Sequence, residues 1–577
     1  MLNIYIKNTI KKILPFIMII IIININQTFV MANEKDDVTN YQAGYSKINK
    51  YTNNKYIFSI SDKNINDSLY CDAQCQKNKC DILDDLNIEC DMKAIKVDDS
   101  IINITTLAEW NNFATNSINI KNKNINIVKD INFSGSNMNT ATINKNVIVY
   151  GNNKAFIGTS KVLIAKNYGQ IVNLNINNAR ILNNDNANNQ GVISYNYGVI
   201  KDVNFYKINV VGNNYCGIIS ENKGIVENIK ASKVNVVCND IAGGLVANNV
   251  SSNKNKTYAK RVIKQAIIKN VKLDNIRLKS KRANNNKKYS NLAFNGSKKS
   301  YEGDYFGGIV GYNRSAIISN SSINNIRIYA DDAIGGIAGI NHKSPSINKN
   351  AKINDVKVSN IKVYGGKRIG GAVGFNLQKY DSNKYSWISY KGSKYKNLQA
   401  SINNVNISGE VYIKGYSEVG GIVGINNFAR LHNSTFNAKK AKYHVYSLND
   451  EAAGAIGDNE FGYVSNTKTN ANSYAKVFQA AGFVADNEGT LKNCIATGNT
   501  YSKKEIGGFV ASNLGVIYNS KAKGNVYATS SSSVGNFAAY SKKETYKGLT
   551  LKGKIIKSST NNKRYIKNKK VTNLKVA

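Results

Sequence analysis

Phe306-Gly-Gly-Ile-Val-Gly-Tyr-Asn313 is a stretch that the chain writes again and again. Near copies are Gly217-Ile-Ile-Ser-Glu-Asn222, Gly243-Gly-Leu-Val-Ala-Asn248, Gly335-Gly-Ile-Ala-Gly-Ile-Asn341, Gly370-Gly-Ala-Val-Gly-Phe-Asn376, Gly420-Gly-Ile-Val-Gly-Ile-Asn426, Gly482-Phe-Val-Ala-Asp-Asn487 and Gly507-Gly-Phe-Val-Ala-Ser-Asn513. Weaker versions stand at 191–196, 454–459 and 534–540. Self-similarity of this kind marks a repeat architecture, in which each unit buries its apolar face only against its neighbours.

The aligned glycine gives the length of a unit. Gly191 to Gly217 is 26 residues, Gly217 to Gly244 is 27, Gly308 to Gly336 is 28 and Gly482 to Gly508 is 26, so one unit is about 27 residues. A second pattern runs between the motifs, in Gly224-Ile-Val-Glu-Asn228, Gly489-Thr-Leu-Lys-Asn493 and Gly515-Val-Ile-Tyr-Asn519. Each unit then closes on an alternating apolar and polar run such as Val356-Lys-Val-Ser-Asn-Ile-Lys-Val363. Period-two alternation without a 3.6-residue period means strands, three short ones per unit. Stacked, such units pair every strand with the units above and below, which predicts an all-β chain folded as a right-handed parallel β-helix. A dozen coils at about 4.8 Å each give a rod of roughly 60 Å.

Two columns of asparagine follow from this alignment. One runs through Asn196, Asn222, Asn248, Asn313, Asn341, Asn376, Asn426, Asn487 and Asn513, the other through Asn173, Asn228, Asn270, Asn320, Asn404, Asn433, Asn493 and Asn519. Asparagine tolerates the left-handed conformation that tight corners require, and stacked amides hydrogen-bond along an axis. Both columns read as structural ladders, and the glycines as sites of positive φ or close backbone approach. At these residues the chain resembles the GLUG-motif repeat proteins of bacteria, over roughly 163–540. That resemblance implies a secreted or surface protein of adhesin type and names no activity by itself.

Residues 1–32 carry Lys7, Lys11 and Lys12, an apolar run from Ile13 to Ile23, and Val30-Met31-Ala32. A basic head, a short apolar core and a small-residue end read as a secretory signal peptide, hence a secreted or cell-surface product, with the periplasm as the alternative. Residues 33–103 form a polar leader in which Cys71, Cys75, Cys80 and Cys90 crowd into twenty residues. In an exported chain four such cysteines read as two disulfides, with free thiols or a metal site as the alternatives. Cys216, Cys238 and Cys494 read as small core residues. Over 104–162, Thr-Thr-Leu-Ala-Glu-Trp-Asn-Asn-Phe113 places Leu107, Trp110 and Phe113 on one side of a capped amphipathic turn, a helix to cover the open end of the first coils. Residues 541–577 form a basic C-terminal coil or tail.

Charge bounds the partners. Lysine and arginine number 78 against 37 acids, a formal net charge of +41. Such a field attracts anionic polymers, whether glycans, envelope polymers, a host surface or, less well supported, nucleic acid. Insertions stretch the repeat at about 251–305 and 378–399, with a shorter one at 342–351. Those at 251–265, 342–351 and 378–399 follow the same asparagine and should leave one face. The insertion at 378–399 interleaves Tyr380, Tyr385, Trp387, Tyr390 and Tyr395 with Lys384, Lys391, Lys394 and Lys396, a mixture that stacks on sugar or base faces while pairing with anions.

Several chemistries are missing. His342, His432 and His444 stand in no H-E-x-x-H, and neither a G-x-S-x-G elbow nor a phosphate loop in strand-to-helix context occurs. No catalytic, cofactor or metal residue is nominated, and the chain reads as a non-enzymatic binding protein. The main alternative is an enzyme of the polysaccharide lyase or hydrolase kind, for which converging carboxylates in a groove would be the sign; a purely structural envelope component is the third. Asp331-Asp332 is the pair to inspect, and reads as two solvated carboxylates at a turn. Deleting residues 379–396 restores a near-regular coil. The shortened chain is expected to fold as the parent does and to bind an anionic glycan more weakly and with less salt dependence; equal binding would remove this loop as the contact surface.

Overall fold

The computed structural model describes residues 58–59, 70–71, 101–182, 189–253, 256–258, 261–263, 265–282, 304–378, 400–530, 533–541, 543–546, 549–567 and 569–571. The proposed signal peptide lies outside them. The coils belong to the unit that begins at Asp98, and within 1–97 the described residues are one antiparallel pair, Phe58–Ser59 with Tyr70–Cys71.

From Ile101 onward the chain is a parallel β-helix. One regular coil shows the plan: Tyr215–Cys216, then Ile219–Asn222, Ile225–Glu227 and Lys230–Cys238, before the next coil opens at Ile241. Tyr215–Cys216 belongs to a short-stranded sheet of 11 strands, Ile219–Asn222 to one of 13, and the remainder to one of 33, among the described residues. The expected three strands per coil are thus three sheets, and the largest is bent twice. Asn228 and Lys233 stand at the two bends in left-handed conformation, φ 56° and 55°.

These bends explain the second asparagine column. Asn173, Asn228, Asn270, Asn320, Asn404, Asn433, Asn493 and Asn519 all have positive φ between 46° and 57°. Asparagine occupies that region at lower steric cost than other non-glycine residues. The amides also pair between coils, Asn519 to Asn493 at 2.9 Å and Asn493 to Asn466 at 3.1 Å.

The first column has a different role from the one its sequence suggests. None of its members has positive φ; they are buried, and all but Asn248 join a ladder in which each side-chain amide donates to the carbonyl oxygen of the next. The chain of bonds runs from Asn167 through Asn196, Asn222, Asn249, Asn313 and Asn341 at 2.7–2.8 Å. It continues through Asn376, Asn426, Asn459, Asn487 and Asn513 at 2.7–2.9 Å. Asn249, and not Asn248, holds the place in its coil, because Asn249 pairs with Asn313 while Asn248 pairs with Tyr312 and turns outward to Glu221. Removing one amide orphans a donor and an acceptor at zero exposure, about 1–3 kcal/mol each.

Around this ladder one apolar core runs from Ile104 to Ala538. Phe483, Phe509 and Phe537 occupy one position on successive coils, with ring centroids 4.9 and 4.8 Å apart, so the aromatic stack repeats at the coil spacing. At the N-terminal end the helix Leu107–Asn116 forms with Thr106 as its cap in a capping box with Glu109. It drives Trp110, fully buried, edge-on against Phe133 and Phe156, and the indole N–H reaches the Asn139 carbonyl at 3.1 Å. At the other end the parallel ladder reaches Arg564–Ile566, which pairs antiparallel with Lys569–Val571.

Two cysteines read as simple core residues are joined. Cys216 and Cys238 are fully buried, as expected, but form a disulfide with Cα atoms 5.9 Å apart, tying the short-sheet strand that opens a coil to the end of that same coil. Twenty-two residues separate them, too far apart in sequence for spacing to reveal that the coil brings its two ends together. Cys494 is free and buried.

The glycine pairs owe their place to close approach. Gly336 lacks positive φ, yet a Cβ there would lie 2.3 Å from the Gly371 carbonyl oxygen and 2.6 Å from Ile361 Cδ1. Gly308 and Gly371 meet the next glycine carbonyl at 2.1 and 2.2 Å in the same way. Replacing Gly336 by valine is therefore expected to lower the unfolding free energy by more than about 1 kcal/mol through overpacking, read as a shifted midpoint in urea; an unchanged midpoint would refute this packing.

Candidate functional site

Tyr380, Lys384, Tyr385, Trp387, Tyr390, Lys391, Lys394, Tyr395 and Lys396 lie outside the described residues, as do the side chains of Cys71, Cys75, Cys80 and Cys90. The insertions near them are partly described. Asn253 donates to the Ser346 carbonyl at 2.7 Å and accepts from the Asn348 amide at 2.6 Å, and Gln265 reaches the Asn350 carbonyl at 2.7 Å. Two insertions, 251–265 and 342–351, therefore share one corner. The buried Lys343 ammonium pins the second, donating to the Ser344 and Ile347 carbonyls at 3.0 and 2.7 Å. The stretch 251–305 is not one excursion: Ile267–Lys269 and Lys272–Ser280 are regular rungs within it.

Asp331 and Asp332 do not form a solvated pair. Asp332 is buried, accepts from the Ala333 amide at 2.7 Å, and holds the Arg368 guanidinium through Nε at 2.8 Å and through Nη2. Burial raises the Asp331 carboxyl, with Arg282 opposing the shift and Asp332 adding to it. The aspartate–arginine pair ties neighbouring coils at a corner.

A different set of side chains converges. In four coils a residue at or next to the start of the short strand meets a residue six or seven positions later on the 13-stranded sheet. Asn189 bonds the Tyr195 hydroxyl, Tyr305 packs edge-on against Tyr312 at 5.7 Å, Arg368 lies 5.3 Å over the Phe375 ring, and Ser533 bonds the Tyr540 hydroxyl. The pairs stack into a seam. Its middle is apolar, where Ala333, Ile340, Phe375 and Ile425 form a cluster apart from the main core.

Its next coils are acidic. Register stacks Glu418 on Glu451 and Asp458 on Asp486, with Glu460 and Glu488 beside them. Like charges directly opposite on neighbouring strands repel, and burial compounds the cost. Burial pushes Glu418 up to about 7 against the pull of Arg368. Burial and the neighbouring carboxylates hold Glu451 and Asp458 well above the usual carboxylate range, Glu418 acting on the first and Glu460 on the second. The seven-residue spacing across each glycine motif was the available signal, but nothing in one sequence shows that those two positions touch.

The outer face of the large sheet carries the opposite charge. Arg277 pairs in register with Arg327, and Arg327 with Lys362, three cations on successive coils. None of the three has an ion-pair partner among the described residues. The tyrosines beside Arg327 and Lys362 stack on each other, Tyr329 and Tyr364 at 4.8 Å, and farther along the coils Tyr501, Tyr527 and Tyr565 stack at 4.7 and 4.9 Å. Those ladders present ring edges and hydroxyls outward.

No family model, no curated protein and no solved structure matches the chain. Among the described residues no cluster of three or more His, Cys, Asp or Glu is arranged to hold a metal ion, and no helix is long and apolar enough to cross a membrane.

The seam predicts a pH dependence. Between about pH 4.5, the ordinary glutamate value, and 7 the folded chain keeps protons that the unfolded chain has released, so stability falls as pH rises through that window. His342 acts the other way: burial, Arg314 and Lys343 lower it from 6.5 to about 4, and stability is lost as pH falls through that range. Glu451→Gln with Asp458→Asn leaves His342 in place, so comparison with the parent isolates the seam. The loss of unfolding free energy between pH 5 and pH 8 should be smaller in the variant than in the parent, measured by urea unfolding; an equal loss in both would refute the protonated seam.

Proposed function

We propose that the chain is an exported, non-enzymatic binding protein whose β-helix holds an anionic polymer, an acidic glycan of an envelope or host surface. The observation that carries this reading is the in-register cation column Arg277, Arg327 and Lys362, none of which has an ion-pair partner among the described residues. Stacking like charges on adjacent strands costs stability, and an anion laid along the coils removes that cost. One acid, Glu410, lies beside the column without an ion pair to it among the described residues, while the acids of the seam stand on other sheets. Export is supported by the N-terminal basic and apolar pattern and by the Cys216–Cys238 disulfide, since such bonds persist in oxidising compartments. The GLUG-like motifs agree with a surface or secreted role.

The seam carboxylates favour a second reading, a glycan-cleaving enzyme using paired acids of raised pKa. Release of new reducing ends from an acidic glycan by the parent and not by Asp458→Asn would establish it. For the binding reading, the purified chain is expected to be retained on immobilised heparin and not on neutral dextran. Its affinity should fall steeply between about 50 mM and 200 mM salt, as for any ligand held by several cations. Equal retention on both matrices, or none on heparin, would overturn it.

A further inference from the structure

The cation column lies in a recess, and the recess has a structural cause. Ser359 pairs with Ser408 and Ile361 with Val411, so that Asn360 faces two residues, Gly409 and Glu410. This is a bulge. Gly409 has φ 79°, and a Cβ there would lie 2.4 Å from the Asn360 side-chain oxygen, so the bulge depends on glycine. The Glu410 amide donates to that same oxygen at 3.0 Å, and the Lys439 amide donates to the Gly409 carbonyl at 2.8 Å, carrying the raised edge into the next coil. The result is a wall beside the flat stack of Asn275, Asn325 and Asn360, whose left-handed bends form the adjoining edge.

The open recess holds about 370 Å³ and is lined by Arg277, Arg327, Lys362 and Lys439, by the three asparagines, by Glu410 and by Ile326. That volume lies near the lower limit for ligand pockets, suited to one or two sugar units and not to a polymer groove. Its chemistry is selective. Arginine forks match the two oxygens of a carboxylate or sulfate. Glu410 and the amides accept and donate to hydroxyls. No aromatic face is available in the lining to stack a base, and a carboxylate beside the cations disfavours a continuous phosphodiester.

We propose that this recess is a binding site for a hydroxylated monoanion, the acidic sugar unit of a glycan, with the anionic group on Arg277, Arg327 and Lys362 and a hydroxyl on Glu410. The inference rests on the polymer-binding reading and localises it.

Titration calorimetry of the full chain in low salt tests the site, with free glucuronic acid as probe and glucose and inorganic sulfate as controls. Glucuronic acid should bind saturably, at least tenfold tighter than sulfate, with no heat from glucose. Arg327→Ala should weaken glucuronic acid at least tenfold. Glu410→Gln should weaken glucuronic acid by about threefold or more and leave sulfate unchanged, a split that an unspecific positive surface does not give. Both residues are exposed, so an unchanged urea midpoint confirms that the variants fold. Saturation by glucuronic acid no tighter than by sulfate, or full binding by Arg327→Ala, overturns the site. Heparin retention that survives Arg327→Ala would overturn the site while leaving polymer binding in place.

Discussion

One buried hydrogen bond per coil fixes this structure. The amide of each inner asparagine spends its donor on the carbonyl oxygen of the next, from Asn167 to Asn513, in a setting with almost no exposure. A coil that slipped by one residue would carry its asparagine to the opposite face and leave two polar groups orphaned. The ladder therefore sets register, and register sets everything that lies outside it. Aromatic stacks, left-handed bends and charge columns line up because the amides do. Aligned amide dipoles also strengthen one another, and Asn513 hands the last donor to the Ser541 hydroxyl at 3.2 Å.

What could be read from the sequence follows the same division. The coil length, the parallel pairing and the capping helix with Thr106 and Glu109 depend on local chemistry that repeats along the chain, and repetition makes it visible. The two asparagine columns were visible as columns, but not what distinguishes them. Asn228 is at a bend because its φ is positive, Asn222 is inside because its neighbours are, and both facts belong to three dimensions. Asn248 was a one-residue misreading: two asparagines stand side by side, and register sets Asn248 opposite Glu221 and Tyr312 and Asn249 opposite Asn222 and Asn313. The Cys216–Cys238 bond, the seam and the recess were hidden for a single reason. Each joins positions whose distance in sequence is set by a coil or by a hairpin-like return of the chain, and no local periodicity reports such a distance.

Seam and column share a physical logic. On a β-helix any outward residue type that recurs at one position becomes a line of charge at the coil spacing, where mutual repulsion is strong. The seam lowers that cost by holding protons: its acids are half-buried, and the neutral form is favoured over the charged one. Arginine has no such escape, because it does not lose its proton in proteins. A stack of cations can relieve its repulsion only through water, salt or a bound anion.

That asymmetry bears on where an anion would sit. Exposed lysines elsewhere on the large sheet, such as Lys230 opposite Lys272, shed their field into solvent. Arg277, Arg327 and Lys362 stand beside the wall raised by the Gly409–Glu410 bulge, where the recess lets one anion meet several of them at once. The bulge makes this segment of the coil depart from the regular unit, at the cost of ladder bonds and of a glycine at positive φ. A departure of two residues thus turns a repulsive line of charge into a concave site. The repeat supplies the cations at fixed spacing, and the break in the repeat supplies the shape.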